Sequence, residues 1–153
     1  MIVDFIQRMF LHSFEKEWYE TYWAFDLHGT IIKPTYKGTE MIYYPYAKET
    51  LQILTKRKDT KLILWTSSFP GEIAEYIVGF AKNGIVWDAV NENSGISSKN
   101  GNFGYYEDKF YFNVLFDDKA GFDPEKEWKT VYEFLVECEL INFLPKPEWT
   151  TKY

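Results

Sequence analysis

Hydrophobic residues along the chain fall into short unbroken runs separated by stretches with helical spacing. Four runs, at 22–25, 61–65, 85–90 and 110–116, are strand-length, rich in β-branched and aromatic residues, and do not alternate cleanly with polar positions. Such runs fit strands buried on both faces, as in a parallel sheet covered by helices. Between them, Ala47, Leu51 and Leu54 recur at i, i+4 and i+7, ahead of the charged run Lys56, Arg57, Lys58. Ile73, Ile77, Phe80 and Ala81 repeat the pattern, with Pro70 placed for a helix start, Ser67 or Ser68 as its cap, and Gly84 for its stop. Asp123 and Pro124 are expected to open a last helix as N-cap and first residue, with Trp128, Val131, Leu135 and Cys138 along its apolar side. At the N-terminus, Ile2, Phe5, Ile6, Met9 and Phe10 line one side of an amphipathic helix that should pack on the domain.

Strands alternating with helices predict an α/β fold: one Rossmann-like domain over residues 1–153, with a parallel sheet, helices on both faces, and residues 1–20 as an N-terminal helical extension. Residues 30–46 hold β-formers around a Lys37-Gly38 turn and stop at Pro45, so a small β-hairpin flap is expected there. The Gly/Ser/Asn-rich stretch 91–102 reads as a loop of lid size.

Composition narrows the function classes. A chain of 153 residues, 46% hydrophobic and 20% aromatic, can bury enough surface to fold, which excludes disorder. A single cysteine, Cys138, excludes a disulfide framework and suits a reducing, cytoplasmic setting. A formal net charge of −6 with two arginines argues against a nucleic-acid backbone as ligand. No run reaches the roughly 18–20 apolar residues that span a membrane, and Asp4 and Arg8 interrupt any signal-peptide core.

The chemistry collects at predicted strand ends. The first strand runs into Asp26-Leu27-His28-Gly29-Thr30, the second into Thr66-Ser67-Ser68, and the fourth into Asp117-Asp118. In open α/β sheets, ligands bind at the carboxyl ends of the strands, beside the point where strand order reverses. Three carboxylates gathered there repel one another unless a cation joins them, and hard oxygen ligands with room for water and phosphate suit Mg²⁺.

These residues resemble the motifs of the haloacid dehalogenase superfamily. Tyr22 through Ile31 is similar to its first motif, an apolar strand followed by Asp-x-Asp-Gly-Thr. Leu62 to Ser67 resembles the second motif, a strand ending in Thr or Ser, and Val114 to Lys119 the fourth, a strand ending in two acids. Lys109 matches the third-motif lysine, with Lys99 as the other candidate. The resemblance extends over about residues 20–138 and is strongest to compact phosphatase- or nucleotidase-like members without a cap domain.

That resemblance implies roles. Asp26 would be the nucleophile that forms an aspartyl-phosphate. Mg²⁺ would be held by Asp26, the backbone carbonyl of His28, and Asp117 and Asp118. Thr66 would donate its hydroxyl to a phosphoryl oxygen and Lys109 would neutralise charge. His28 stands where the family's phosphatases carry a second Asp, and an imidazole can move a proton near neutrality in its place. The expected function is an Mg²⁺-dependent phosphohydrolase of a small phosphomonoester, nucleotides included, with Tyr36, Tyr43, Tyr44, Phe69 and Tyr105 as candidate base-stacking rings. The alternatives are a non-catalytic binding or assembly protein on the same fold, or a phosphatase of a phosphorylated macromolecule. With no cap, specificity would fall to the flap, to the loop 91–108, or to a partner subunit in a homo-oligomer formed through the N-terminal helix.

Overall fold

The computed structural model describes residues 1–35, 38–94 and 109–141. In chain order these form α1 (Ile2–Glu15), β1 (Thr21–Phe25), α2 (Ala47–Lys56), β2 (Thr60–Leu64), α3 (Pro70–Lys82), β3 (Ala89–Val90), β4 (Val114–Phe116), a 3₁₀ turn (Asp118–Ala120) and α4 (Glu127–Ile141). The strands make one four-stranded sheet in the order β3-β2-β1-β4, with every neighbouring pair parallel. Helices around this sheet make an α/β, Rossmann-like arrangement. The order runs outward from β1 through β2 to β3 and then returns to the other side of β1, so the reversal point lies between β1 and β4.

Four of the aromatic side chains stack together on the β1–β4 pair. Phe25 stacks on Phe116 with ring centroids 4.7 Å apart, and Phe116 in turn stacks on Trp23 at 5.9 Å and on Trp128 at 5.2 Å. All four side chains are fully buried. Large rings packed in offset stacks contribute both area burial and a further ring–ring term. Leu54, Leu62, Leu64, Val131 and Leu135 complete the core around them.

The N-terminal helix belongs to this core. Ile6, Met9 and Phe10 are buried, whereas Phe5, expected on the same side, is 42% exposed. Helical geometry explains the difference, since the buried stripe centres on Ile6 and Phe10 and turns Phe5 to its edge. Met1 gives α1 no side-chain cap; instead the buried carboxylate of Glu127 accepts the Ile2 N–H at 3.1 Å and the Asp123 N–H at 2.7 Å. One carboxylate thereby satisfies donors at the start of α1 and in the turn before α4. Arg57 closes the other end. It grips Asp59 with two hydrogen bonds of 2.9 and 2.8 Å, reaches Glu139 at 2.7 Å, and lies over the Phe10 ring.

Several sequence expectations are corrected in detail. The third strand is two residues, not 85–90, because α3 ends in left-handed Gly84 and the Ile85 N–H returns to the Phe80 carbonyl. The fourth begins at Val114, since Phe110 leaves the ladder to stack on Trp65. Helix α4 starts at Glu127; Asp123 instead caps the turn leading into it, accepting the Glu125 N–H at 3.1 Å. Neither Ser67 nor Ser68 caps α3, whose N-cap is Phe69. The flap is an antiparallel bridge between Ile32 and Tyr43, with Lys33 N–H to Ile42 and Tyr44 N–H to Ile31, and not a pair of strands. Its turn at 36–37 and the loop 95–108, on which the expected lack of a cap partly rests, lie outside the described residues.

Candidate metal and phosphate site

Asp26 is the first residue past β1, and its N–H donates to the Phe116 carbonyl at the end of β4 (2.8 Å). That bond sets Asp26 beside the next residues of the chain, Asp117 and Asp118. One carboxylate oxygen from each of the three acids lies within 4.8 Å of the other two. The acids that the sequence placed on separate strand ends are therefore brought together at the reversal point.

Thr30 is the residue that joins them, and it carried no role in the sequence reading. Its fully buried hydroxyl lies 3.1 Å from Asp26 Oδ2 and 3.2 Å from Asp118 Oδ1, and it accepts the Asp118 N–H at 3.0 Å. A hydroxyl has one proton, so it can serve only one of these carboxylates at a time. The Thr30 carbonyl is held in turn by the Trp128 indole N–H at 2.7 Å. The available signal was its place four residues after Asp26, on the same tight turn. That turn needs Gly29, which has φ 81°, and a Cβ there would stand 3.0 Å from Asp118 Oδ2.

The electrostatics are unbalanced. Burial and, after it, the Asp117 charge push the Asp26 carboxyl up to about 6, against hydrogen bonds from Thr30 and the Leu27 backbone that favour its ionised form. Three hard oxygen donors with excess negative charge fit a divalent cation of the Mg²⁺ or Ca²⁺ kind. They do not by themselves choose between the two.

A pH dependence follows. Below about pH 4 Asp26 is protonated in folded and unfolded chains alike; between there and about pH 6 only the folded chain keeps the proton. Its contribution to stability therefore falls as pH rises through that window and stays low above it, by on the order of 1–2 kcal/mol once solvent screening of this half-buried group is allowed for. In EDTA, the stability difference between Asp26→Asn and wild type should grow from pH 4 to pH 7 in favour of the variant. A pH-independent difference in urea melts would show that the charge is not strained.

The His28 imidazole is outside the acidic group: its Nε2 is 2.9 Å from the hydroxyl of Tyr76, a buried residue of α3, and the two rings meet edge-on at 5.5 Å. Thr66 lies just past the end of β2, its hydroxyl 2.9 Å from that of Ser68. Lys109 is exposed; the next residue, Phe110, stacks on Trp65 at 4.3 Å, which ties this segment to the carboxyl end of β2. Lys99 lies outside the described residues. Among the proposed stacking rings, Tyr43 is engaged with Asn83 and Phe80 and Tyr44 packs against the core, while Phe69 is 75% exposed. Tyr36 and Tyr105 lie outside the described residues.

The fold and the acidic cluster together define an α/β domain with a candidate cation site at its sheet reversal. No family model matches the chain, and no curated protein matches it. It is similar to a solved structure, that of a conserved protein coded by a locus from Bacteroides thetaiotaomicron, at 25% identity. The match covers 77% of this chain and 91% of that one, with a TM-score of 0.56. No helix of the described residues is long and apolar enough to cross a membrane.

Proposed function

We propose that the protein is an Mg²⁺-dependent phosphohydrolase acting on small phosphomonoesters. The observation that carries this reading is the meeting of Asp26, Asp117 and Asp118 at the sheet reversal, with the Asp26 carboxyl pushed up by burial and by the neighbouring Asp117 charge. Mg²⁺ held by these three acids would offset the charge of a phosphoryl group beside Asp26. In the proposed reaction an Asp26 oxygen bonds to phosphorus as the bond from phosphorus to the leaving oxygen breaks. His28 gives that oxygen its proton. Water then attacks phosphorus, His28 takes its proton, and phosphate leaves with Asp26 restored. Thr66 and Lys109 would meet the phosphoryl oxygens.

The bond between His28 and Tyr76 favours a second reading, a cation-binding module without turnover, because it occupies one ring nitrogen. Hydrolysis separates the two. A panel of nucleotides, sugar phosphates and p-nitrophenyl phosphate should be hydrolysed with Mg²⁺ and not in EDTA. His28→Ala should then lose about 10²-fold on alkyl phosphates and much less on the activated aryl ester, which needs little protonation to depart. An equal loss on both classes would remove His28 as the acid. A wild-type protein that binds Mg²⁺ and hydrolyses nothing on the panel would establish the second reading.

A further inference from the structure

The end of β2 carries a second arrangement, independent of the carboxylates. Strands β2 and β3 pair as far as Leu64 and Val90, and the Asn91 N–H still reaches the Leu64 carbonyl at 2.8 Å. There the strands part, because Asn91 adopts φ 54° and turns the chain away. The Asn91 side chain then takes up the ladder. Its Oδ1 accepts the Thr66 N–H at 2.8 Å and its Nδ2 donates to the Thr66 carbonyl at 2.8 Å.

A carboxamide offers one acceptor and two donors at nearly peptide spacing, so it replaces the missing rung. Asp would lack the donor. Asn is also, after Gly, the residue that best tolerates the left-handed backbone. The Thr66 hydroxyl has its own fastening, to Ser68: 2.9 Å to the Ser68 hydroxyl and 3.2 Å from its N–H. Neither Thr66 nor Asn91 is buried, so this double fastening does not serve core packing. It fixes a single half-buried residue one strand over from Asp26, where the Trp65 N–H still pairs with the Phe25 carbonyl.

We propose that Asn91 is a positioning residue for phosphate binding, holding the Thr66 peptide so that its hydroxyl is already aimed when a phosphoryl group arrives. The inference rests on the phosphohydrolase reading above. A hydroxyl fixed in advance costs less ordering on binding than one on a free loop. Its loss therefore weakens capture of the phosphoryl group more than it slows the chemistry.

The test compares Asn91→Ala, Asn91→Asp and Asn91→Gly with wild type. Asn91→Gly accepts the left-handed turn without strain but frees the backbone, so the loss that it shares with Asn91→Ala is the one assigned to the side chain. Amide hydrogen exchange at Thr66 reads the clamp directly. Kinetics on p-nitrophenyl phosphate with Mg²⁺, and competitive inhibition by inorganic phosphate, read its role. Asn91→Ala and Asn91→Gly should exchange faster at Thr66 and raise both KM and the phosphate inhibition constant by about tenfold, with kcat within about threefold. Asn91→Asp keeps the acceptor for the Thr66 N–H and loses only the donor to its carbonyl, so its effects should be smaller. Unchanged exchange in Asn91→Ala and Asn91→Gly would overturn the clamp. Faster exchange with unchanged KM and phosphate inhibition would make it architectural and overturn the inference. An inert wild type with no phosphate-dependent thermal shift would overturn the phosphohydrolase reading and the inference with it. That result is distinguished from the other two because it occurs before any substitution.

Discussion

Asp26→Asn is expected to abolish phosphomonoester hydrolysis, by at least about 10⁴-fold, while making the metal-free protein more stable at pH 7. Both effects have one origin. The carboxylate that would attack phosphorus is the one whose ionised form burial and Asp117 disfavour. A neutral amide cannot serve as nucleophile, yet it keeps an oxygen to accept from the Thr30 hydroxyl. Mg²⁺ should reverse the order of stabilities, since cation binding contributes only to the chain that retains the full set of acids. Melting temperatures in EDTA and in Mg²⁺, alongside turnover, give all three readouts. Wild-type turnover in the variant excludes Asp26 as nucleophile, and lower stability in EDTA at pH 7 excludes a strained charge.

Trp128→Ala should cost about 3–5 kcal/mol, the range for removing a large buried aromatic side chain. It deletes a ring stacked on Phe116 at 5.2 Å and Phe25 at 6.1 Å and leaves the buried Thr30 carbonyl without its indole donor. Trp128→Phe separates the two parts. The stack largely survives, so the loss should shrink to about 1–2 kcal/mol for the orphaned carbonyl. Because Thr30 also spans Asp26 and Asp118, Trp128→Phe should further reduce the Mg²⁺-dependent rise in melting temperature. Urea melts with and without Mg²⁺ check both numbers. A Phe variant as stable as wild type would show that the indole bond contributes nothing.

The parts of the structure that read well from sequence are those set by hydrophobic period. Continuous apolar runs identified β1 and β2 nearly to the residue, and Pro70 and Gly84 marked the bounds of α3. What failed was decided by side chains acting across the fold. Phe110 has a strand-former's propensity but a ring partner in Trp65 outside the ladder. Asp123 and Pro124 look like a helix start, yet a capped turn precedes α4 because Glu127 is drawn to the Asp123 N–H and to Ile2. In the site, the acids were legible because their chemistry is written in their residue type. Thr30 and Asn91 were not, since the hydroxyl of one also reaches Asp118, 88 positions away, and the carboxamide of the other reaches Thr66, 25 positions away. Tyr76, on the buried face of α3, likewise gave no sign that it would meet His28.

The bond from the Ile2 N–H to Glu127 spans 125 positions, and Phe10 faces Phe134 in the same pairing of α1 with α4. β1 also waits, since one of its two edges can be filled only by β4. During synthesis the leading helix and the central strand therefore emerge long before their partners exist, with the apolar side of α1 left open to water. Completing this core is tied to the arrival of α4, so the apolar side of α1 depends on shielding until then, and contacts this distant in sequence favour slow folding.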